Sequence, residues 1–394
     1  MNLNAKYYFK VKQIIFSVLI LSFVSLTACA QTKNIVLGAE RTDQYLKLLE
    51  GKKVGLVVNQ TSMIAETHLV DSLLSSGIEV VKVFAPEHGF RGKLDAGEKV
   101  TSGIDPKTKL PIISLYGKHK KPYPEDLADL DVVVFDIQDV GTRFYTYIST
   151  MHYVMEACAE QNKMFVVLDR PNPNGMYVEG PVLDLANQSF VGMHPIPVLH
   201  GLTVAELASM INGEQWLSNG VKCNLVVIKM GEYTHNTSYQ LPIKPSPNLP
   251  NTQSIQLYPS LCLFEGTTIS VGRGTELPFQ QIGHPTLKDE FTYNFTPIST
   301  EGAKYPPYEG QSCYGLDLSS SEQPEGFDIS LLIKMYHAYS DKKTFFNDFF
   351  VKLAGVSELE EQIVAGFTKE EIELSWQAKL EAYKKKRESY LLYD

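Results

Sequence analysis

Short apolar runs rich in β-branched residues, separated by helical patterns, restrict this chain more than any other feature. Lys53–Asn59 (KVGLVVN), Glu79–Ala85 (EVVKVFA), Pro111–Tyr116 (PIISLY), Asp131–Ile137 (DVVVFDI), Met164–Asp169 (MFVVLD) and Cys223–Met230 read as strands. Helical spacing fills Glu66–Ser76, Phe144–Gln161 and Thr203–Asn212, the last opening on Thr203 with Glu206 three residues on, a capping-box pattern. Continuous apolar strands alternating with helices predict an α/β fold, a mostly parallel Rossmann-like sheet covered on both faces. A chain of 394 residues is too long for one small core and predicts about two domains.

From about residue 236 the texture changes. Residues 241–251 (LPIKPSPNLPN) carry four prolines and no periodicity, and predict an ordered, irregular connection. Helical patterns return at Asp328–Tyr339, Thr344–Leu353 and Val356–Val364, and a polar helix runs from near Thr368 toward Tyr390. The expected division is a Rossmann-like domain over 42–238 and a smaller C-terminal α+β domain over 239–394.

The N-terminus has a different chemistry. Lys6, Lys10 and Lys12 precede the apolar run Ile14–Leu26, followed by Leu26-Thr27-Ala28-Cys29. That order describes a secretion signal over 1–28, and a Cys directly after Leu-Thr-Ala resembles a lipoprotein cleavage site. The expected mature chain starts at a lipidated Cys29, with a tether over 29–41, and is exported, membrane-anchored and periplasmic. The net charge is −9, and removing three lysines with the signal leaves −12. So acidic a body argues against nucleic acid as partner and against docking on anionic lipid through a basic patch; the membrane is reached through the anchor only. Cys158, Cys223, Cys262 and Cys313 form no Cys-x-x-Cys pair, so neither a thiolate zinc site nor a structural disulfide is expected.

Ligands of an open parallel sheet bind beyond the carboxyl ends of its strands. The residues there are Asn59 after the first run; Pro86-Glu87-His88-Gly89-Phe90-Arg91 after the second; Gln138-Asp139 through Arg143 and Tyr145 after the DVVVFDI run; and Arg170 through Gly175, then Glu179, after the MFVVLD run. His200 precedes the capped helix. Glu87, at a strand end beside a proline, suits general-acid duty if half-buried, or else caps the next segment or pairs with Arg91. Glu179 is a loop carboxylate, catalytic or simply at the surface. Asp136 lies inside a strand and must be paired, with Arg143 or Arg170. Asp169 beside Arg170 suits an ion pair. Arg91, Arg143 and Arg170 share one edge, either for an anionic substrate or as an ion-pair network holding the loops. Phe144, Tyr145 and Tyr147 fit a sugar-stacking wall or the core. No His-Glu-x-x-His, Gly-x-Ser-x-Gly, Walker loop or dinucleotide fingerprint is present, so no cofactor or metal is expected.

Five segments together resemble a known family: Ala85-Pro-Glu-His-Gly-Phe-Arg-Gly92, Phe135-Asp-Ile-Gln-Asp-Val-Gly-Thr-Arg143, Asp169-Arg-Pro-Asn-Pro-Asn-Gly175, Glu179-Gly-Pro181 and Pro245-Ser-Pro-Asn-Leu-Pro250. They are similar to the exo-β-N-acetylmuramidases of the NamZ type. The resemblance implies a site in the cleft between the two domains and release of N-acetylmuramic acid from non-reducing ends of peptidoglycan fragments. It implies Glu87 as a catalytic group, with Glu179 as the expected partner. The substrate-binding set is then Asn59, His88, Arg91, Asp139, Arg143, Tyr145, Arg170 and His200, the arginines reading the lactyl carboxylate of the sugar. A glycosidase of this kind needs carboxylates and no cofactor. A non-catalytic glycan-binding lipoprotein and a hydrolase of another wall bond are the competing readings.

Overall fold

The computed structural model describes residues 34–87, 89–90, 102–322 and 326–394. The expected signal segment and Cys29 lie outside the described residues. Val36–Asp394 forms one compact unit.

Its frame is a seven-stranded sheet of β1 (Lys53–Val58), β4 (Glu79–Ala85), β5 (Gly103–Ile104), β6 (Pro111–Ser114), β7 (Val132–Asp136), β8 (Met164–Leu168) and β9 (Asn224–Ile228), in the order β5-β6-β4-β1-β7-β8-β9. Every neighbouring pair is parallel except the edge pair β5–β6. A two-stranded hairpin, β2 (Met63–Ile64) with β3 (Thr67–His68), follows β1. The strand pleat sorts side chains between two cores. In β7, Val133 and Phe135 join the core under the helices Tyr147–Glu160 and Val204–Gly213, whereas Val132 and Val134 join that of Tyr45, Leu49, Leu69 and Leu73 on the other face. Phe165 and Val167 of β8 divide from Val166 and Leu168 in the same way. Both faces are apolar because both are covered, which is why these runs showed no alternation of polar residues.

The predicted strands match these elements to within two residues at either end. The first predicted helix is shorter than expected, Leu69–Ser75, because Thr67 and His68 pair in the hairpin. The capping box forms as its spacing predicted: Thr203 Oγ1 accepts from Glu206 N at 3.3 Å, and Glu206 Oε2 accepts from Thr203 N at 2.9 Å. The smaller α+β part contains an antiparallel sheet of β10 (Gln281–His284), β12 (Cys313–Asp317) and β11 (Tyr293–Phe295), in that order, together with the C-terminal helices. The four described cysteines are free and buried. No helix among the described residues is long and apolar enough to cross a membrane.

The chain end returns to the large sheet. Tyr393 Oη donates to Asp169 Oδ2 at 2.7 Å, Leu392 N to Glu206 Oε1 at 2.7 Å, and Tyr383 Oη to the His200 carbonyl at 2.7 Å. Asp169 also accepts from Thr203 Oγ1 and from the amides of Arg170 and Ala205. It therefore joins the capped helix to the C-terminal tail rather than forming the expected ion pair with the Arg170 guanidinium. Burial pushes its carboxyl up to about 7 despite the donors.

Arg143 corrects a second expectation. It is fully buried and cannot meet a substrate. Nη1 donates to the carbonyls of Pro181 at 2.7 Å and Ile196 at 3.0 Å, and Nη2 to those of Leu353 at 2.8 Å and Ala354 at 2.7 Å. The last two are the open carbonyls at the end of the helix Phe350–Ala354, where the peptide dipoles favour a cation. Gly355 closes that helix at φ 77°, and a Cβ on it would lie 2.6 Å from Nη2, so the approach depends on glycine. Burial lowers the Arg143 pKa to about 9, which leaves it a cation at neutral pH. Arg143→Met is expected to destabilise the protein by at least about 3 kcal/mol, because several buried carbonyls lose their donors; urea denaturation measures it. A shift below about 1 kcal/mol would show that the four bonds contribute little net stability.

Candidate active site

Glu87 stands two residues beyond the end of β4 and is half-buried. Both of its oxygens are held: Tyr116 Oη donates to Oε1 at 2.9 Å and Thr146 Oγ1 to Oε2 at 2.8 Å. Tyr116 follows β6, and Thr146 immediately precedes the helix Tyr147–Glu160, so two sheet-edge loops fix one carboxylate. The pocket beside it is lined by Phe144, Tyr145 and Tyr147 on one side, and by Ser246, Asn248, Tyr258, Arg273 and Phe279 from later in the chain. The aromatic trio is thus both core and wall: Tyr145 packs edge-on to Tyr147 and to Tyr258.

Asp139, Tyr145, Asn59 and His200 gather around the same tyrosines. The Tyr147 phenol is pushed up by burial first and then by the charge of Glu87; Asp139 adds to the rise, and the nearby Asn59 amide opposes it. Burial likewise raises Tyr145, with Tyr147 and Asp139 adding to it. Tyr147 therefore lies within electrostatic reach of both carboxylates. Asp139 Oδ2 accepts from Gly141 N at 2.7 Å, and His200 Nε2 stands 3.8 Å from the same oxygen. His200 Nδ1 accepts from Leu202 N, which leaves the proton on Nε2, on the Asp139 side. Asn59 Nδ2, Asp139 Oδ1, Tyr145 Oη and His200 Nε2 are buried without a hydrogen-bond partner among the described residues. Buried polar atoms are rarely left unpaired, and of these four residues Tyr145 lines the pocket beside Glu87.

Other expected site residues are placed elsewhere. Arg170 is buried and bound to Asp136, Nε to Oδ1 at 2.5 Å and Nη2 to Oδ2 at 2.9 Å, with Nη2 also on the Met63 carbonyl at 3.1 Å. It neutralises the strand carboxylate and is not available to a substrate; of the two partners open to Asp136, this is the one used. Glu179 is not brought to Glu87. Its backbone pairs with Leu199, its Oε2 accepts from Phe327 N at 2.7 Å, and it lines a separate depression with Trp376, Lys369 and Lys384. Burial raises its pKa, and the Phe327 amide opposes the rise. His88 and Arg91 lie outside the described residues. Sequence reasoning missed Tyr116, Thr146, Ser246 and Arg273. Pro245-Ser-Pro-Asn-Leu-Pro250 did carry a signal for Ser246, but Tyr116 and Arg273 stand in motifs too short to single out.

A parallel sheet joined to a smaller α+β part, with a hydroxyl-held carboxylate in a pocket of aromatic and amide groups, is the frame of an α/β enzyme suited to acid–base work on a polar substrate. Residues 54–253 match the N-terminal model of exo-β-N-acetylmuramidase NamZ, and residues 256–393 match its C-terminal model. The peptidoglycan β-N-acetylmuramidase NamZ of Bacillus subtilis (strain 168) is 40% identical over 374 residues, covering 89% of each chain. Two crystal structures of DUF1343 family proteins from Bacteroides fragilis NCTC 9343 are also similar. One is 45% identical with a TM-score of 0.86, covering 92% of this chain and 99% of that one. The other is 33% identical with a TM-score of 0.78, covering 91% and 99%. The chain belongs to the NamZ family. The Glu87 pocket takes Tyr145 and Ser246 from the first matched segment and Tyr258, Arg273 and Phe279 from the second.

Because Arg170 serves Asp136, removing either partner is expected to cost about 3–5 kcal/mol, and Asp136→Asn combined with Arg170→Met less than the sum of the two. Urea melts of the single and double variants measure this. Strict additivity would separate the pair energetically.

Proposed function

We infer that this chain is an exo-acting β-N-acetylmuramidase that releases N-acetylmuramic acid from the non-reducing ends of peptidoglycan fragments. Membership of the family carries the reading, and the held carboxylate in the pocket supports it. Glu87 is the general acid: it protonates the glycosidic oxygen as the bond from that oxygen to the anomeric carbon breaks. The hydroxyls of Thr146 and Tyr116 serve it in both states, since a hydroxyl donates to the carboxylate and rotates to accept from the acid. Asp139 is the second group, in place of Glu179. It shares Tyr147 with Glu87, and its Oδ1 is unpaired. From there it, or Tyr145 beside it, can orient the 2-acetamido group of the sugar or a water at the anomeric carbon.

The protein is further proposed to be exported and held at a membrane by lipid on Cys29, on the strength of Leu26-Thr27-Ala28-Cys29. Such an anchor gives an otherwise acidic body access to cell-wall glycan. Metabolic labelling with a fatty-acid analogue should mark the parent and not Cys29→Ala; label retained in the variant would place the anchor elsewhere.

Glu87→Gln should lose about 10²–10⁴ in turnover on a muramide with a poor leaving group. It should lose much less on the 4-nitrophenyl glycoside, whose leaving group needs little protonation. A uniform loss on both would remove Glu87 from the acid role. Asp139→Asn should be impaired on both substrates, while Glu179→Gln keeps turnover near that of the parent; the reverse order would restore Glu179 as the partner.

A further inference from the structure

With Arg143 and Arg170 committed to the fold, we propose that Arg273 reads the lactyl carboxylate of the muramic acid residue, and so sets the choice of muramide over glucosaminide. The proposal rests on the muramidase reading above. Arg273 is the only cationic side chain among the described residues lining the Glu87 pocket. Its side chain is one-fifth exposed. Nε is tied to Glu265 Oε1 at 2.5 Å, and the guanidinium centre lies 5.1 Å from the ring centroid of Phe279, itself a pocket wall. Among the described residues, Nη1 and Nη2 have no hydrogen-bond partner. The planar fork is therefore fixed along one edge and against one face, and its two terminal nitrogens are free for the paired oxygens of a carboxylate.

The backbone is built to hold it there. Gly272 and Gly274 flank Arg273 at φ 75° and 80°. A Cβ on the first would lie 2.6 Å from Gln281 Cγ, and on the second 2.5 Å from the Ile298 carbonyl. The turn thus requires glycine on both sides and presents only the arginine. N-acetylglucosamine lacks the lactyl group, so it leaves this edge unpaired, whereas N-acetylmuramic acid satisfies it.

The test compares the 4-nitrophenyl β-glycosides of N-acetylmuramic acid, of its lactyl methyl ester and of N-acetylglucosamine, on the parent, Arg273→Gln and Arg273→Lys. A charge-assisted pair is worth a factor of roughly 10–150, so Arg273→Gln should raise KM on the acid by that much with kcat little changed. On the methyl ester the change should be small, and Arg273→Lys should recover part of the loss on the acid. Equal losses on acid and ester would overturn the proposal and assign Arg273 to holding its loop. For a variant that does not fold, inhibition of the parent by free N-acetylmuramic acid against its methyl ester decides: equal inhibition overturns the proposal, and preference for the acid supports it. A parent that cleaves acid and ester equally well overturns it while leaving the muramidase reading intact. A parent inactive on every muramide removes that reading and this proposal with it.

Discussion

The buried fork of Arg143 is the interaction on which the rest of the site depends. One guanidinium collects carbonyls from residues 181, 196, 353 and 354, segments far apart in sequence. Its own amide donates to Val198 O at 2.8 Å. The stretch carrying it begins with Asp139 and continues through Tyr145, Thr146 and Tyr147, so fixing Arg143 fixes one wall of the Glu87 pocket from behind. A lysine would not serve: one ammonium has neither the reach nor the planar spread to meet four acceptors on two nitrogens. Nor would a carboxylate partner improve matters, because the helix end already supplies partial negative charge without a second buried ion.

A second set of constraints ties the last residues to the middle of the chain. Asp169 and Glu206 fix the start of the capped helix, and both also accept from the last residues of the chain, Asp169 Oδ2 from Tyr393 and Glu206 Oε1 from Leu392. His200 is positioned in the same way, its carbonyl bound by Tyr383 and its Nδ1 by Leu202. The helix Lys369–Arg387 thereby connects the last residues to the loop that faces Asp139. The two matched segments of the family are thus interlocked through buried polar groups as well as through apolar contact, and a pocket lined from both can keep its geometry.

The fold was legible because its signals are local. A run such as DVVVFDI has one stable use in a long α/β chain, and Thr203 with Glu206 caps a helix wherever it occurs. The helix Thr252–Leu261 was not legible: it carries Pro259 and follows a proline-rich stretch, and only its Asn251 cap announces it. The site was legible as an edge. Asn59, Glu87, Asp139, Tyr145 and His200 do converge there, because parallel strands end at one rim. What the sequence could not reveal was direction. Arg143 and Arg170 follow strands in the same way as Glu87, yet turn inward, since an Asp within a strand and the open end of a distant helix each needed a cation. Glu179 reaches the rim by its backbone and points its carboxylate at Phe327. These choices depend on partners tens to hundreds of residues away, which no spacing rule encodes.

The distribution of charge across the pocket follows from the same economy. In the muramidase reading Glu87 gives up a proton beside a substrate that brings a carboxylate of its own. Two anions in a poorly solvated pocket repel by several kcal/mol at an effective dielectric of about 20, unless a cation stands by one of them. An uncompensated arginine would also be costly to bury and would pull the carboxylate of Glu87 toward itself as a permanent partner. Glu265 resolves both difficulties. It anchors the Arg273 Nε edge and balances the charge of that guanidinium, and in the proposal above the terminal nitrogens meet the lactyl carboxylate. Among the described residues the hydroxyls of Tyr116 and Thr146, not a cation, hold Glu87. In the proposed reading, binding and proton transfer then fall to different walls of one pocket, and the lactyl group is recognised without altering the acid that acts on the neighbouring bond.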